Sequence, residues 1–202
     1  MTDHNVSDHH LTLDDVAEPR AYEREREAYR SGVIAMKKRR RVGIGPVMTL
    51  VFENRETMRF QVQEMARAER LMTDAAIQHE LDTYNALIPA RGELSATVFL
   101  ELTDEWQMRE WLPRLVGIET ALELRLADGI AVANLVDAGH AAQLTRPETT
   151  AAVHYIRWAL TPAEVDAFAA GGARIASTHH AYPHDTVVSD EVHAELLADL
   201  RG

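Results

Sequence analysis

The chain is expected to adopt an α+β fold in which N-terminal helices pack on one mostly antiparallel sheet of about five or six strands. Three observations carry that expectation. Apolar residues recur at helical spacing in long stretches ahead of residue 88. Beyond residue 92 the period changes to that of short strands bounded by turn residues. Helices that come first, with strands following, favour one sheet with helices packed on one face. At 202 residues the chain is long enough for a real core and short for two domains. Residues 1–12 read as a mobile polar tail and 13–202 as a single α+β domain.

Pro19 opens the first helix, expected to run to about Arg41, with Tyr22, Tyr29, Val33 and Met36 on one stripe and Arg40 in the middle of it. Gly43 and Pro46 supply its stop. The β-branched and apolar run from Val47 to Glu53 reads as a strand. A helix without breakers follows from Arg55 to Met72, and a second from Asp74 to Leu87 ends before Pro89. Strands are expected over 93–102, 119–126, 130–137, 152–160 and 173–178, with Asp128-Gly129 as a hairpin signal. Short helices are expected over 104–113, 161–170 and 189–200, the last two opened by Thr161-Pro162 and Ser189.

The net charge is −11, but it is unevenly placed. Residues 1–41 hold nine Lys/Arg against eight Asp/Glu, while residues 42–202 hold twelve against twenty-four. An acidic body repels nucleic acid and anionic lipid, so nucleic-acid binding through Lys37–Arg41 is disfavoured. The absence of cysteine excludes a disulfide, a thiol nucleophile and any cysteine-ligated cluster in this chain. No apolar run has the length to cross a bilayer, and the opening residues lack the apolar centre of an export signal, so no membrane association and a cytoplasmic location are expected.

The polar residues that break local patterns are the candidates for function. Helix 55–72 carries two apolar stripes, with Glu69 inside one and Glu64 and Arg67 inside the other. A carboxylate buried there must be paired, metal-bound or protonated. Arg40 is the first partner to inspect for Glu69, as a structural pair or as part of a site. The alternative is a carboxylate-rich pocket between helices 55–72 and 74–87, in which Glu64, Glu69, His79 and Glu80, near Tyr84, would hold a metal ion for an enzyme. His79 and Glu80 point about 100° apart on a helix, however. No Glu-x-x-His or His-Glu-x-x-His pair is present. His179, His180, His184 and Asp185 read as a solvated loop, chemically adequate for a borderline metal but without a recognised ligand spacing. Alternation in strand 152–160 places Arg157 beside Tyr155, to line an anion pocket or to pair with a neighbouring strand's glutamate. A P-loop, a dinucleotide fingerprint and a Gly-x-Ser-x-Gly elbow are all missing.

The runs KKRRRVGIGP, FENRET, QEMARAER, IQHELDTYNALIP and GELSAT together resemble a bacterial family catalogued as domain of unknown function 3501, over about Leu11 to Leu200 and most densely over 37–97. The resemblance implies a genomic setting beside a rubrerythrin-like protein and an iron–sulfur oxidoreductase, and hence a redox or oxidative-stress module with those proteins as partners. A cysteine-free acidic chain in that setting is expected to be an accessory or ligand-binding subunit that docks a partner and holds a small anionic ligand. Arg39, Arg40, Arg41 and Arg55 would be its basic elements, with Asn54 and Glu53 orienting them. Glu53, Tyr84 and Arg157 are further pocket candidates, and a homo-oligomer is compatible with the sequence.

Overall fold

The computed structural model describes residues 9–136, 146 and 148–202. The α+β class is what the chain adopts, with its strands divided between two antiparallel sheets of four. The first sheet has the order β1-β2-β3-β6, from Arg41–Ile44, Met48–Glu53, Glu93–Leu100 and Val153–Ala159. The second has the order β5-β4-β7-β8, from Ala131–Ala133, Leu122–Arg125, Arg174–Ser177 and Asp185–Val187. Around them lie α1 (Pro19–Lys38), α2 (Arg55–Ala68), α3 (Asp74–Asn85), α4 (Glu105–Arg114), α5 (Pro162–Ala169) and α6 (Asp190–Arg201).

Two strands went unread in the sequence. The first helix stops at Lys38 instead of reaching Arg41, and Arg41–Ile44 turns back as β1 against β2. Gly45 makes that return possible: its φ is +60°, a left-handed value that glycine adopts without a Cβ clash. A side chain there would also strike the His184 ring and the Tyr182 hydroxyl at 2.7 Å. The histidine loop is likewise shorter than expected, because Asp185 begins β8 and pairs with β7. The strand expected over 130–137 ends at Ala133, and Asp137 lies outside the described residues.

The main core fills the space between the two sheets. Leu50, Phe52, Leu94, Val98, Ile156 and Trp158 from the first sheet meet Leu122, Leu124 and Ile175 from the second. One seam is closed where Leu135, beyond β5, bridges Arg157 on β6 through two backbone hydrogen bonds of 2.6 and 2.9 Å. Tyr182 closes the other. Its hydroxyl accepts from the amides of Val47 (3.0 Å) and Met48 (3.2 Å) and donates to the Ile44 carbonyl (2.6 Å). A second apolar cluster, with Met58, Val62, Leu81, Leu87 and Ile88, packs the helices together on the opposite side of the first sheet. Leu11 belongs to it: the backbone of Leu11 exchanges two hydrogen bonds with the Asn85 carboxamide, at 2.7 and 2.9 Å. Residues 9–12, expected in a mobile tail, are thus docked in part, and residues 1–8 lie outside the described chain.

Candidate functional site

The helix-facing side of the first sheet is unusually polar. Strand alternation sends Thr49, Val51 and Glu53 of β2 to that side, and the register sets Glu53 beside Ser95 and Ser95 beside Arg157. The neighbouring row is Val51, Thr97 and Tyr155. Every residue of β2 is buried, because the core covers one face and the helices the other. Polar side chains on such a strand must find partners inside the protein.

Glu53 illustrates the consequence. It is 2% exposed, and its Oε1 accepts from the Thr97 hydroxyl at 2.7 Å. Its Oε2 makes no hydrogen bond but lies 3.4 Å from the Lys37 ammonium at the end of α1. Tyr155 lies within reach of the fields of Tyr84 and Glu53; burial first, then these neighbours, pushes its phenol above the ordinary value. Glu53, Lys37, Tyr155 and Tyr84 therefore form an electrostatically connected group between the sheet and helices α1 and α3.

Beside this group, a cavity of about 440 Å³ opens onto Ser95, Tyr155 and Arg157, walled by Leu87 at the end of α3 and by Leu135 and Val136 beyond β5. Arg157 is fixed at its rim. Its Nη1 donates to Glu93 Oε2 at 2.9 Å and its Nη2 to the Ala86 carbonyl. A guanidinium carries five N–H donors, so a positioned arginine retains hydrogen-bonding capacity toward a ligand. Arg157 thus pairs with the glutamate of a neighbouring strand and also lines the cavity.

The other basic candidates are held by carboxylates. Arg39 pairs with Glu195 at 2.7 Å, Arg41 with Glu101 at 3.2 Å and Arg55 with Asp15 at 2.6 Å. Asn54 caps α2, its Oδ1 accepting from the Thr57 amide while its own amide donates to the Thr57 hydroxyl, both at 2.9 Å. Arg40 is 1% exposed and does not meet Glu69, which is exposed at the end of α2. It binds Glu195 and Asp199 on α6 and donates from Nε to the Phe52 carbonyl at 3.0 Å. Hydrogen bonding to Arg39 holds the Glu195 carboxyl below its usual range, whereas burial pushes that of Asp199 up. Arg40 is a strut that ties α6 to the end of β2.

The residues expected around a metal do not converge either. Glu64 accepts from Arg26 at 2.8 and 2.7 Å and from the Tyr22 hydroxyl at 2.6 Å, and its carboxyl is held low chiefly by Arg26. His79 is exposed and Glu80 half-buried on α3. Among the described residues no group of three or more His, Asp or Glu is arranged to hold a metal ion. In the histidine segment, His179 Nε2 lies 3.1 Å from the Val116 carbonyl, His184 packs edge-on against Tyr182, and Asp185 pairs with Arg174.

Sequence reasoning passed over Ser95, Leu87, Leu135 and Val136. A signal for Ser95 was present: ELSATVFL alternates small polar with apolar residues in a strand bracketed by buried elements. Leu135 carried none, because its place depends on a bridge to a strand 22 residues onward.

The family model described as a protein of unknown function (DUF3501) matches residues 10–200. A crystal structure titled a novel protein of unknown function, from Burkholderia pseudomallei, is 38% identical, with a TM-score of 0.86 over 94% of this chain and 98% of that one. No curated protein matches the chain significantly.

Proposed function

For this chain, which belongs to the DUF3501 family of proteins of unknown function, we propose the role of an accessory ligand-binding protein that holds a small anion in the cavity on the helix-facing side of its first sheet. The observation that carries the reading is the convergence of Ser95, Tyr155 and Arg157 on one cavity of about 440 Å³. That volume lies in the range of about 300–1,000 Å³ usual for small-molecule sites. Arg157 supplies the charge and Ser95 and Tyr155 bear hydroxyls on the same sheet face. Leu87, Leu135 and Val136 make room for a short apolar part. The anion is placed here instead of at Arg39–Arg41 and Arg55 because Arg157, although paired with Glu93, lines a cavity, whereas those arginines are held by carboxylates.

Saturation-transfer NMR and calorimetric titration with butyrate and n-butylamine test the charge preference. Butyrate is expected to bind and n-butylamine to fail. Arg157→Gln should weaken butyrate about tenfold or more, as expected for loss of a charge-assisted contact. Because Arg157 also anchors Glu93, Ser95→Ala serves as a second variant that leaves that pair intact. Equal binding of the two probes, or binding of neither, overturns the reading.

The redox setting comes from the family resemblance alone and supports placing the protein beside a rubrerythrin-like or iron–sulfur oxidoreductase partner. Tagged protein recovered from native cells is expected to bring one of them down. Recovery of neither removes that part of the proposal.

A further inference from the structure

The sheet cavity does not end at Arg157. Through Ala86 and Arg157 it shares a border with a second chamber of about 730 Å³, whose walls include His9, His10, Asn85, Arg91 and Glu93. The two chambers differ in chemistry. The inner one joins the apolar Leu87, Leu135 and Val136 to Ser95 and Tyr155, and the outer one presents two imidazoles and the guanidinium of Arg91 beside that of Arg157.

The outer chamber sets a further guanidinium, that of Arg91, beside the Arg157–Glu93 pair, with Gly202 on the same wall. The Glu93 carboxylate is already engaged, its Oε2 accepting from Arg157 at 2.9 Å and from the Ala90 amide at 3.0 Å. Arg91 forms none of the ion pairs found among the described residues, in which every other cavity-lining charge named here takes part. His9 is held near the wall, its Nε2 3.4 Å from the Ile88 carbonyl, and the neighbouring Leu11–Asn85 exchange fixes the backbone that presents both imidazoles. The chamber is therefore built by a segment docked onto α3.

Resting on the binding reading above, we propose that the ligand is an amphiphilic anion that spans both chambers. Its short apolar chain lies against Leu87, Leu135 and Val136, and its phosphate or carboxylate head lies among Arg157, Arg91, His9 and His10. Arg157 sits at the waist between the two parts. A small inorganic anion would leave the inner apolar wall unfilled, and an uncharged chain would make no ion pair with Arg91, so each half alone binds weakly.

Calorimetric titrations with hexyl phosphate, 1-hexanol and inorganic phosphate test the combination. Hexyl phosphate is expected to bind at least about tenfold more tightly than either of the others. The double variant Arg91→Gln, His10→Ala should weaken hexyl phosphate about fivefold or more, the worth of one charge-assisted hydrogen bond in a partly open site. Hexanoate in place of hexyl phosphate distinguishes the two head groups. If hexyl phosphate binds no more tightly than 1-hexanol, or if the double variant has no effect while butyrate still depends on Arg157, the two-chamber ligand is overturned and the inner site stands. If butyrate also fails to bind, both readings fall together.

Discussion

The two faces of the first sheet are made by the same strands and carry opposite chemistry. Toward the second sheet they present Leu50, Phe52, Leu94, Val98, Ile156 and Trp158, a continuous apolar surface broken by His154. Toward the helices they present Glu53, Ser95, Thr97, Tyr155 and Arg157. Burial is nearly as complete on β2 in both directions, so exposure does not explain the difference. Apolar area removed from water stabilises the fold by about 25 cal/mol per Å². Buried polar groups contribute little net stability and are costly when one partner is lost. The first face accordingly holds the molecule together, and the second holds the groups that can act on a ligand.

Truncation on the apolar face should have the largest effect. Trp158→Ala removes the largest fully buried side chain among the described residues, its ring tilted against Phe52, and is expected to cost about 3–5 kcal/mol in urea unfolding. A loss below about 1 kcal/mol would mean that this face is not the main core. Arg40, whose guanidinium binds carbonyls at the end of β2, tests the border between the faces. Arg40→Met strands the partly buried Asp199 beside Glu195 and should cost about 3–5 kcal/mol, while adding Asp199→Leu should recover part of it. Absence of any recovery would show that Arg40 acts through its packing alone.

The polar face predicts a different response. Replacing Glu53 and Lys37 together by Leu and Met should change stability by less than about 2 kcal/mol, since an ion pair exchanged for apolar groups is often neutral. Glu53→Ala alone should cost more than the pair, because Lys37 is left without its ion-pair partner as Thr97 loses its acceptor. If the single and double variants are equally damaging, the pair is not a coupled unit. The smallest stability change is expected for Ser95→Ala, below about 1 kcal/mol, alongside weakened butyrate binding. A Ser95→Ala protein that is strongly destabilised but, while folded, binds butyrate normally would reverse the assignment of roles to the two faces.

His154 is the exception on the apolar face, and pH exposes it. It is 1% exposed, its Nε2 2.9 Å from both the Thr150 hydroxyl and the Ala151 carbonyl. Burial holds its pKa below the ordinary 6.5, against the opposing field of Glu119. Below pH 6.5 the unfolded chain therefore takes up a proton that the folded chain declines, so stability present at neutral pH is lost on acidification. Urea midpoints between pH 7.5 and 5.5 should fall, and His154→Gln should flatten that part of the profile. Glu64 and Glu195, held low by arginines, lose their contribution only at more acidic pH, below about 4.5.

Local pattern made much of the fold legible. Pro19, Thr161-Pro162 and Ser189 marked helix starts because their effects act within one turn of the chain, and the caps Asn54 and Asp104 emerged only in the structure. β1 escaped because an arginine-rich run is compatible with a helix, and the left-handed Gly45 decides the reversal. Of the site, Arg157 and Tyr155 were visible as a strand pair and Glu53 and Tyr84 as odd polar residues. That Arg39, Arg40 and Arg41 are each paired with a carboxylate was not legible, because charge counts do not show which carboxylates are nearby.

The sequence by itself determined the α+β class, most elements, the lack of cysteine chemistry and the candidate pair on β6, since periodicity and composition are local properties. Only the tertiary structure decided that Arg40 would meet Glu195 and Asp199 from more than 150 residues away. It also brought Leu135 beside Arg157 to wall a cavity. Partner choice for a long charged side chain depends on which surfaces the strands bring together, and no spacing along the chain encodes that distance.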